Sequence, residues 1–397
     1  MLPDHRNIEP RFGFAYRPFR DAKTVVRGGY GIYAGQIPAY IGVRQISWSN
    51  TPFFLRETFE AAAGNVPTLT LANPFPTGGG QVSANPSLTA VNRQLRSARS
   101  QQWNLTIERQ LIKNVGLRLS YLGNKATRVP FYNYNRNLPI QQAPGTIQSQ
   151  RPYQPWADIS TLDTNGNSFT NQFQAELNRR LPSGLYMMSN FTWNKAIDNV
   201  PISTSPQNPY DARAERSNSE GVRQLVFNTS ATYPLPLGKS ILRMDGFLNR
   251  IVSGWNLSGI ATFRSGTPFS VTFVPSQAGW YATRADATGI SPNLDNPTIQ
   301  RWFNPAAFTL PAPFIFGNSA RNVLWGPGMM KIDVGMVKDV KFFERYTLNI
   351  RAEAFNVPNH PSFANPSASL SSPSTMGRIG STSIENRAVQ VALKLSF

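Results

Sequence analysis

The chain has 397 residues, a formal net charge of +18, no cysteine and only two histidines, His5 and His360. Two distant histidines without cysteine argue against a metal or catalytic centre built on these side chains, and we expect neither enzymatic activity nor a cofactor. No run of eighteen apolar residues occurs, which excludes a transmembrane helix. The 39 Lys and Arg residues are spread along the chain, a distribution typical of solvated loops rather than of a nucleic-acid surface.

Alternation of apolar and polar residues predicts an all-β chain. Eleven segments repeat with a period of two, as strands with one apolar and one polar face do. These segments are 11–17, 24–35, 101–110, 115–123, 169–180, 185–195, 222–233, 254–264, 330–338, 345–355 and 387–397. Such strands can cross a bilayer at modest average hydropathy, because only one face of each strand meets lipid.

The polar faces of these strands are predicted to line a hydrated interior. In the third segment, Trp103, Leu105 and Ile107 alternate with polar residues, and the fifth and tenth segments follow the same rule. The predicted lumen-facing residues are Gln102, Asn104, Glu108, Gln174, Glu176, Asn349, Arg351 and Glu353. We interpret their charges as groups that hydrate a lumen, because no catalytic motif accompanies them.

The connectors between the strands alternate in length. Short connectors are predicted at 18–23, 111–114, 181–184 and 339–344, and long ones at 36–100, 124–168, 196–221, 265–330 and 356–386. The intermediate connector 234–253 falls where a short one is due, and it has room for a short interfacial helix. Short periplasmic turns and long extracellular loops are typical of outer-membrane barrels. The pattern therefore predicts antiparallel pairing of consecutive strands and a periplasmic C-terminus.

The C-terminal segment alternates without a fault and ends on an aromatic residue. Its apolar residues are Val389, Val391, Leu393, Leu395 and Phe397. A final strand of this kind resembles the signal that the bacterial barrel-assembly machinery recognises in its clients. An ordinary edge strand of a soluble protein is the competing interpretation of this segment.

An ordered set of longer motifs resembles one receptor family. The motifs are EPRFGFAY at 9–16, RGGYGIY at 27–33, QQWNLTIERQL at 101–111, LSYLGNKATRVP at 119–130, NFTWNKAIDN at 190–199, SGWNLSGIATFRSGTPFSV at 253–271, RWFNPAAF at 301–308, FGNSARNVLWGPG at 316–328, RAEAFNVPNHPSF at 351–363 and QVALKLSF at 390–397. Their order and content are similar to the barrels of Oar-like TonB-dependent receptors, in which a carboxypeptidase-regulatory-like domain precedes the plug.

This resemblance implies that residues 1–397 are the C-terminal part of such a barrel, about eleven strands or half of a 22-stranded barrel. The signal peptide, regulatory-like domain, plug and TonB box are expected to be absent, so the chain is interpreted as a fragment. The resemblance implies a non-enzymatic protein of the bacterial outer membrane. Its expected partners are membrane lipid and lipopolysaccharide, the barrel-assembly machinery, TonB through the missing region, and a large transported ligand of unknown identity.

Two alternatives stay open at this point. A passive porin-like channel would share the strand pattern but would have no plug. A soluble β-rich adhesin or nucleic-acid-binding protein is suggested by the aromatic and basic residues of the segment 131–136, since bases stack on aromatic rings. This segment falls in a predicted long loop, and we expect no nucleic-acid partner.

Overall fold

A computed structural model describes residues 7–21, 23–35, 57–58, 70–72, 74, 81–133, 135–200, 206–238, 241, 246–342 and 345–397. Its main sheet contains eleven successive strands: β1 Arg11–Tyr16, β2 Thr24–Gly35, β3 Ala98–Ile112, β4 Val115–Asn133, β5 Ile159–Arg180, β6 Tyr186–Asp198, β7 Leu225–Pro234, β8 Trp255–Arg264, β9 Met329–Phe342, β10 Tyr346–Phe355 and β11 Ala388–Ser396. His5 and most of the first long connector lie outside the described residues.

Each strand pairs antiparallel with the next one along the chain, so the predicted pairing of consecutive strands is confirmed. The sheet runs from β1 to β11 in sequence order, and these two strands form its edges. Short connectors join β3 to β4 and β5 to β6 at one end of the sheet, and the long connectors lie at the other. The sheet is open, because β1 and β11 do not pair with each other.

Four central strands extend further than the alternation predicts. β4 continues to Asn133 and β5 begins at Ile159, so much of the predicted connector 124–168 is strand. The 22 residues of β5 are about twice the roughly 9–11 residues that a transmembrane β-strand needs to cross a bilayer. Most of the extra residues are polar, and the few apolar ones, such as Phe131 and Leu162, do not continue the alternation, which explains the wrong boundary.

One short strand inside the predicted connector 36–100, which is not among the eleven predicted strands, pairs parallel. Leu88–Val91 pairs with Ile159–Leu162 at the far end of β5. The next strand, β6, reaches only to Ser168 of β5, which leaves the protruding part of β5 with an unpaired edge. The connector segment supplies hydrogen-bonding partners to that edge.

The connectors contain further short elements. Two-residue strands are Glu57–Thr58, Gln81–Val82, Ser217–Asn218, Pro268–Phe269, Asp286–Ala287, Phe308–Thr309 and Leu324–Trp325; the α-helices are Ile147–Gln150 and Gly246–Val252; and a 3-10 helix covers Pro305–Ala307. The helix Gly246–Val252 lies in the connector where the sequence allowed one. In the part of the chain that the structure describes, no helix is long and apolar enough to cross a membrane.

The connectors 265–328 and 356–387 build a hydrophobic core of their own. Val271, Ala285, Phe303 and Leu324 are almost fully buried, and Met376 from the last connector joins them. A second cluster contains Phe273, Trp280 and Ala282. The long connectors thus fold as a packed layer at one end of the sheet, which we call the loop layer.

Candidate functional site

The strand register divides the sheet into a polar face and an apolar face. Glu108 lies opposite Arg118, Arg118 opposite Glu176, and Glu176 opposite Asn190. Because side chains alternate along a strand, residues aligned in this way share one face. The same register places all eight predicted lumen-facing residues on the polar face: Gln102, Asn104, Glu108, Gln174, Glu176, Asn349, Arg351 and Glu353.

A ladder of ion pairs crosses the polar face from β2 to β5. Glu108 lies 3.5 Å from Arg27 and 3.1 Å from Arg118, and Arg118 lies 3.2 Å from Glu176. The Arg27 and Arg118 side chains are about half exposed, so water screens each pair and its contribution to stability is small. The ladder presents fixed, hydrated charges across four strands.

The polar face continues through the last three strands. The Asn349 side chain donates a hydrogen bond to the Asp339 carboxylate over 2.7 Å, and the Gln390 side chain donates to Glu353. Arg351 lies 3.8 Å from Glu353. The predicted inward-facing residues of β10 therefore contact one another and their neighbours, with no arrangement of nucleophile and base.

The apolar face carries the C-terminal residues predicted to form the assembly signal. Val389, Val391, Leu393 and Leu395 share this face of β11, where they are 51–70% exposed, and Phe397 is 84% exposed. They lie on the free edge strand, opposite apolar partners of β10 such as Leu348 and Ile350. A row of exposed apolar side chains at a sheet edge is available to an assembly partner.

A buried ionic network fastens the loop layer to β6. Arg284 donates two hydrogen bonds to the Glu215 carboxylate, at 2.9 and 2.8 Å, and Glu215 is only 1% exposed. Arg321 pairs with Asp198 at the end of β6 and donates from Nε to the Glu215 carbonyl oxygen at 3.3 Å. Since buried charges must be paired, these four residues fix the connectors 199–224 and 265–328 to the sheet.

Two buried side-chain amides also hold segments of the long connectors in place. The Gln207 side chain accepts hydrogen bonds from the backbone nitrogens of Thr283 and Arg284 and donates to the carbonyl oxygen of Gly317. Asn137 donates to three carbonyl oxygens of the segment 153–157. The sequence interpretation missed both residues and the ionic network, because isolated Asn, Gln, Arg and Glu residues in long loops show no periodicity.

Three long connectors enclose a cavity of about 760 Å³ within the loop layer. Asn135 and Asp158 line it from one connector, Gln207 from the second, and Tyr281 from the third, together with Arg321. Arg321 also contacts Asp198, whose side chain shares the polar face of β6 with Asn190 and Asn194. The cavity thus lies at the long-connector end of the polar face.

Two tyrosines stiffen the wall of this cavity. The Tyr210 hydroxyl donates to the carbonyl oxygens of Arg136 and Leu138, both at 2.9 Å, and the Tyr281 hydroxyl donates to the Pro139 carbonyl oxygen. Burial, followed by the nearby Tyr210 phenol, raises the pKa of Tyr281 to about 12. Burial also raises the pKa of Tyr210, although Arg136 opposes the rise. Both hydroxyl groups are therefore neutral donors at physiological pH.

Groups of three or more His, Asp and Glu side chains suited to a metal ion do not occur among the described residues. Gly29 and Gly31, which loosely match a dinucleotide-binding motif, lie inside strand β2. That motif needs the start of a helix to approach a pyrophosphate. The described chemistry is therefore that of a hydrated polar face and a loop-lined cavity.

The β-sheet has one apolar and one polar face. Short turns connect its strands at one end, and a packed loop layer lies at the other end. These features are those of a membrane β-barrel protein. The profile of the family described as outer membrane beta barrel domain matches residues 1–390. The chain belongs to this family, and its location is the bacterial outer membrane. This membership excludes the soluble alternative. No curated protein matches the sequence.

Solved structures of outer-membrane proteins resemble the chain at low sequence identity, and the first of them shares its fold. The chain is similar to the outer membrane transporter YddB from Escherichia coli, with 12% identity and a TM-score of 0.52, over 98% of this chain and 40% of that chain. The siderophore receptor PirA from Acinetobacter baumannii gives 13% identity and a TM-score of 0.49 over 98% and 41%. The FrpB iron transporter from Neisseria meningitidis gives 10% and 0.45 over 98% and 39%. The chain spans about two fifths of the length of these proteins.

Proposed function

We propose that residues 1–397 form the C-terminal part of an Oar-like TonB-dependent receptor that moves a large ligand across the outer membrane. In this proposal the eleven strands are half of a 22-stranded barrel. The apolar face meets lipid, the polar face lines the lumen, and the loop layer covers the extracellular mouth. The complete receptor would contain a plug and a TonB box, through which TonB transmits energy from the inner membrane.

The position of the cavity is the observation that carries this proposal. It opens among three long connectors, at the end of the sheet where the polar face leaves the predicted membrane span. A ligand held there would lie over the entrance of the lumen. The buried ionic network keeps the cavity walls in one arrangement, which favours selective binding because little ordering is needed when the ligand arrives.

Depletion of growth medium tests the transport function even though the ligand is unidentified. The native gene product is expressed in its own bacterium, and the spent medium of wild-type, receptor-deleted and TonB-deleted cells is compared by mass spectrometry. We expect at least one compound to be consumed by wild-type cells and left by both mutants. A compound left only by receptor-deleted cells would instead support a passive porin-like channel.

A substitution within the cavity separates specific transport from an indirect effect of deletion. Thr267 lines the cavity, so Thr267→Trp should slow uptake of the identified compound. Thr309 is exposed in the short strand Phe308–Thr309 of the same connector, outside the cavity. Thr309→Trp should leave uptake unchanged. Equal uptake in the two variants would contradict a role for the cavity.

A further inference from the structure

The apolar face changes character toward the loop layer. Near its middle, the register aligns Leu105, Tyr121, Phe173 and Trp193 across four strands. Two rows closer to the loop layer, it aligns Gln101 and Lys125 with Phe169 and Ile197, and Lys195 lies in the row between, opposite Asn171. Cationic residues thus lie on this face where its aromatic rows end, on the side of the loop layer.

A cavity of about 500 Å³ opens at the end of the aromatic rows that is closer to the loop layer. Phe169 and Ile197 provide its apolar wall, while Lys125, Arg213 and Arg216 provide cations. All three cationic side chains are exposed. Lys125 comes from β4, and the two arginines come from the connector 199–224, so the sheet and the loop layer together build the cavity.

The acidic residues near this cavity leave its cations available. Asp198 lines the cavity, but its carboxylate is paired with the buried Arg321. Asp211 accepts hydrogen bonds from the backbone nitrogens of Arg213 and Ala214, at 2.9 and 3.3 Å, which fixes the turn that carries the arginines. The cavity consequently has an excess of positive charge on an otherwise apolar surface.

A second, apolar cavity of about 540 Å³ lies further along the same face. Phe191, Phe227 and Phe263 line it from successive strands, and Trp302 and Phe363 line it from the loop layer. Phe191 lies on β6, which also carries Ile197 of the cationic cavity. These two residues are six positions apart, about 20 Å along the strand at about 3.3 Å per residue. A positive site and an apolar cavity on the same face match a ligand that carries phosphate groups and long acyl chains.

We propose that this cationic cavity binds a phosphate group of the lipid A part of lipopolysaccharide, and that the apolar cavity on the same face holds one of its acyl chains. Cations at the outer boundary of a membrane barrel would meet the charged headgroups of the outer leaflet, where phosphate attracts Lys and Arg. The inference uses the proposed lipid-facing orientation of the apolar face. It does not depend on transport.

Native mass spectrometry of the native gene product, purified from outer membranes into detergent, tests this site. The probe is bisphosphorylated lipid A, and the test variant is the triple substitution Lys125→Gln, Arg213→Gln and Arg216→Gln. We expect affinity to fall about 100-fold, since each cation near an anionic surface contributes about fivefold. The matched control replaces exposed cations of the short connectors, Lys23→Gln, Lys113→Gln and Arg345→Gln, and should bind as the parent does.

Three comparisons identify the bound chemistry. Monophosphorylated lipid A should bind more weakly than the bisphosphorylated form, and inorganic phosphate at millimolar concentration should not displace either. Phosphatidylglycerol that binds as tightly as lipid A would overturn the proposal in favour of general attraction to anionic lipid. Displacement by inorganic phosphate would overturn it in favour of a soluble-anion site, and equal binding by parent and triple variant would exclude the site altogether.

Loss of folding and failure of the proposed receptor function are both distinguishable from loss of this site. Heat-dependent migration in gel electrophoresis reports an intact barrel, and it should be equal in the triple variant and in the matched control. Uptake of the compound found by medium depletion should also be equal in the two variants. Loss of uptake with unchanged lipid A binding would contradict the proposal, because the substituted residues would then act in transport.

Discussion

The main sheet and the loop layer are stabilised by opposite uses of charge. Across the sheet, the ion pairs of Glu108 and Arg118 are solvated, and the apolar side chains of the opposite face, such as Val391, are exposed. In the loop layer, Glu215 and Arg321 are buried and pair with other buried charges, while apolar clusters form elsewhere in the same layer. The largest fully buried side chains of the described chain all come from connectors, namely Phe303, Glu215, Val271, Asn137 and Ser362.

This difference follows from the solvent that each region meets. A sheet with lipid on one face and water on the other needs no dry interior, because backbone hydrogen bonds between strands satisfy its polar groups. In the proposed orientation, the loop layer lies beyond the membrane span and has to exclude water by its own packing. Its ionic network then restricts which packing is possible. We therefore expect substitutions in the two regions to have very different effects.

The largest effect is expected at Glu215. Glu215→Ala leaves Arg284 buried without its carboxylate, and breaking such a pair costs about 3–5 kcal/mol. Hydrogen exchange of the purified native gene product should show faster exchange for the backbone of segment 280–325. The matched control is Glu176→Ala in the solvated ladder, which should cost about 0–1 kcal/mol. Equal effects of the two substitutions would contradict the distinction between the regions.

The next effect tests the orientation of the sheet. Leu348 lies on the apolar face of β10 and Asn349 on its polar face, beside Asp339. Leu348→Arg should destabilise the protein in lipid vesicles by about 2–4 kcal/mol, because a guanidinium would lie near the hydrocarbon midplane. Asn349→Arg should cost far less. Urea titration of the refolded native gene product measures the free energy of unfolding of both variants. A larger loss of stability for Asn349→Arg would mean that the polar face, and not the apolar face, meets lipid.

The sequence predicted the sheet far better than the loop layer. In β10, Tyr346, Leu348 and Ile350 alternate with polar residues because lipid and water impose a period of two, and the predicted strand pairing is confirmed. The loop layer depends on contacts such as Arg284 with Glu215, which are 69 residues apart. No local pattern encodes such contacts. The extension of β5 was missed for a different reason, because most of its residues from Ile159 to Ser168 are polar and show no alternation of apolar and polar residues.

A smaller effect, on the amount of protein rather than its stability, is expected at the C-terminus. Phe397 contacts little of the described chain, being 84% exposed, so its removal should leave the folded sheet unchanged. If it belongs to an assembly signal, its deletion from the native gene should lower the outer-membrane level without changing transcript level. Phe342→Ala, on a different strand of the sheet, serves as the control. Unchanged surface display after deletion of Phe397 would refute the assembly role.

The smallest effect concerns the pH dependence of the loop layer. Tyr281 has its pKa raised to about 12 by burial, whereas an unfolded tyrosine titrates near 10. The unfolded state therefore loses its proton first as the pH rises. The stabilisation that neutral Tyr281 provides is complete below pH 10 and decreases between pH 10 and 12.

Comparison of Tyr281→Phe with the parent isolates this contribution. At pH 8 the variant loses only the hydrogen bond to Pro139, a change of about 1 kcal/mol. Between pH 10 and 12, hydrogen exchange near residues 139–142 should accelerate less in the variant than in the parent, because phenylalanine has no proton to lose. Tyr153→Phe, at a residue that is 58% exposed, should follow the parent. If hydrogen exchange in Tyr281→Phe also follows that of the parent, the neutral hydroxyl does not hold the connector of Tyr281 to the connector of Pro139. The buried ion pairs would then stabilise the cavity wall without it.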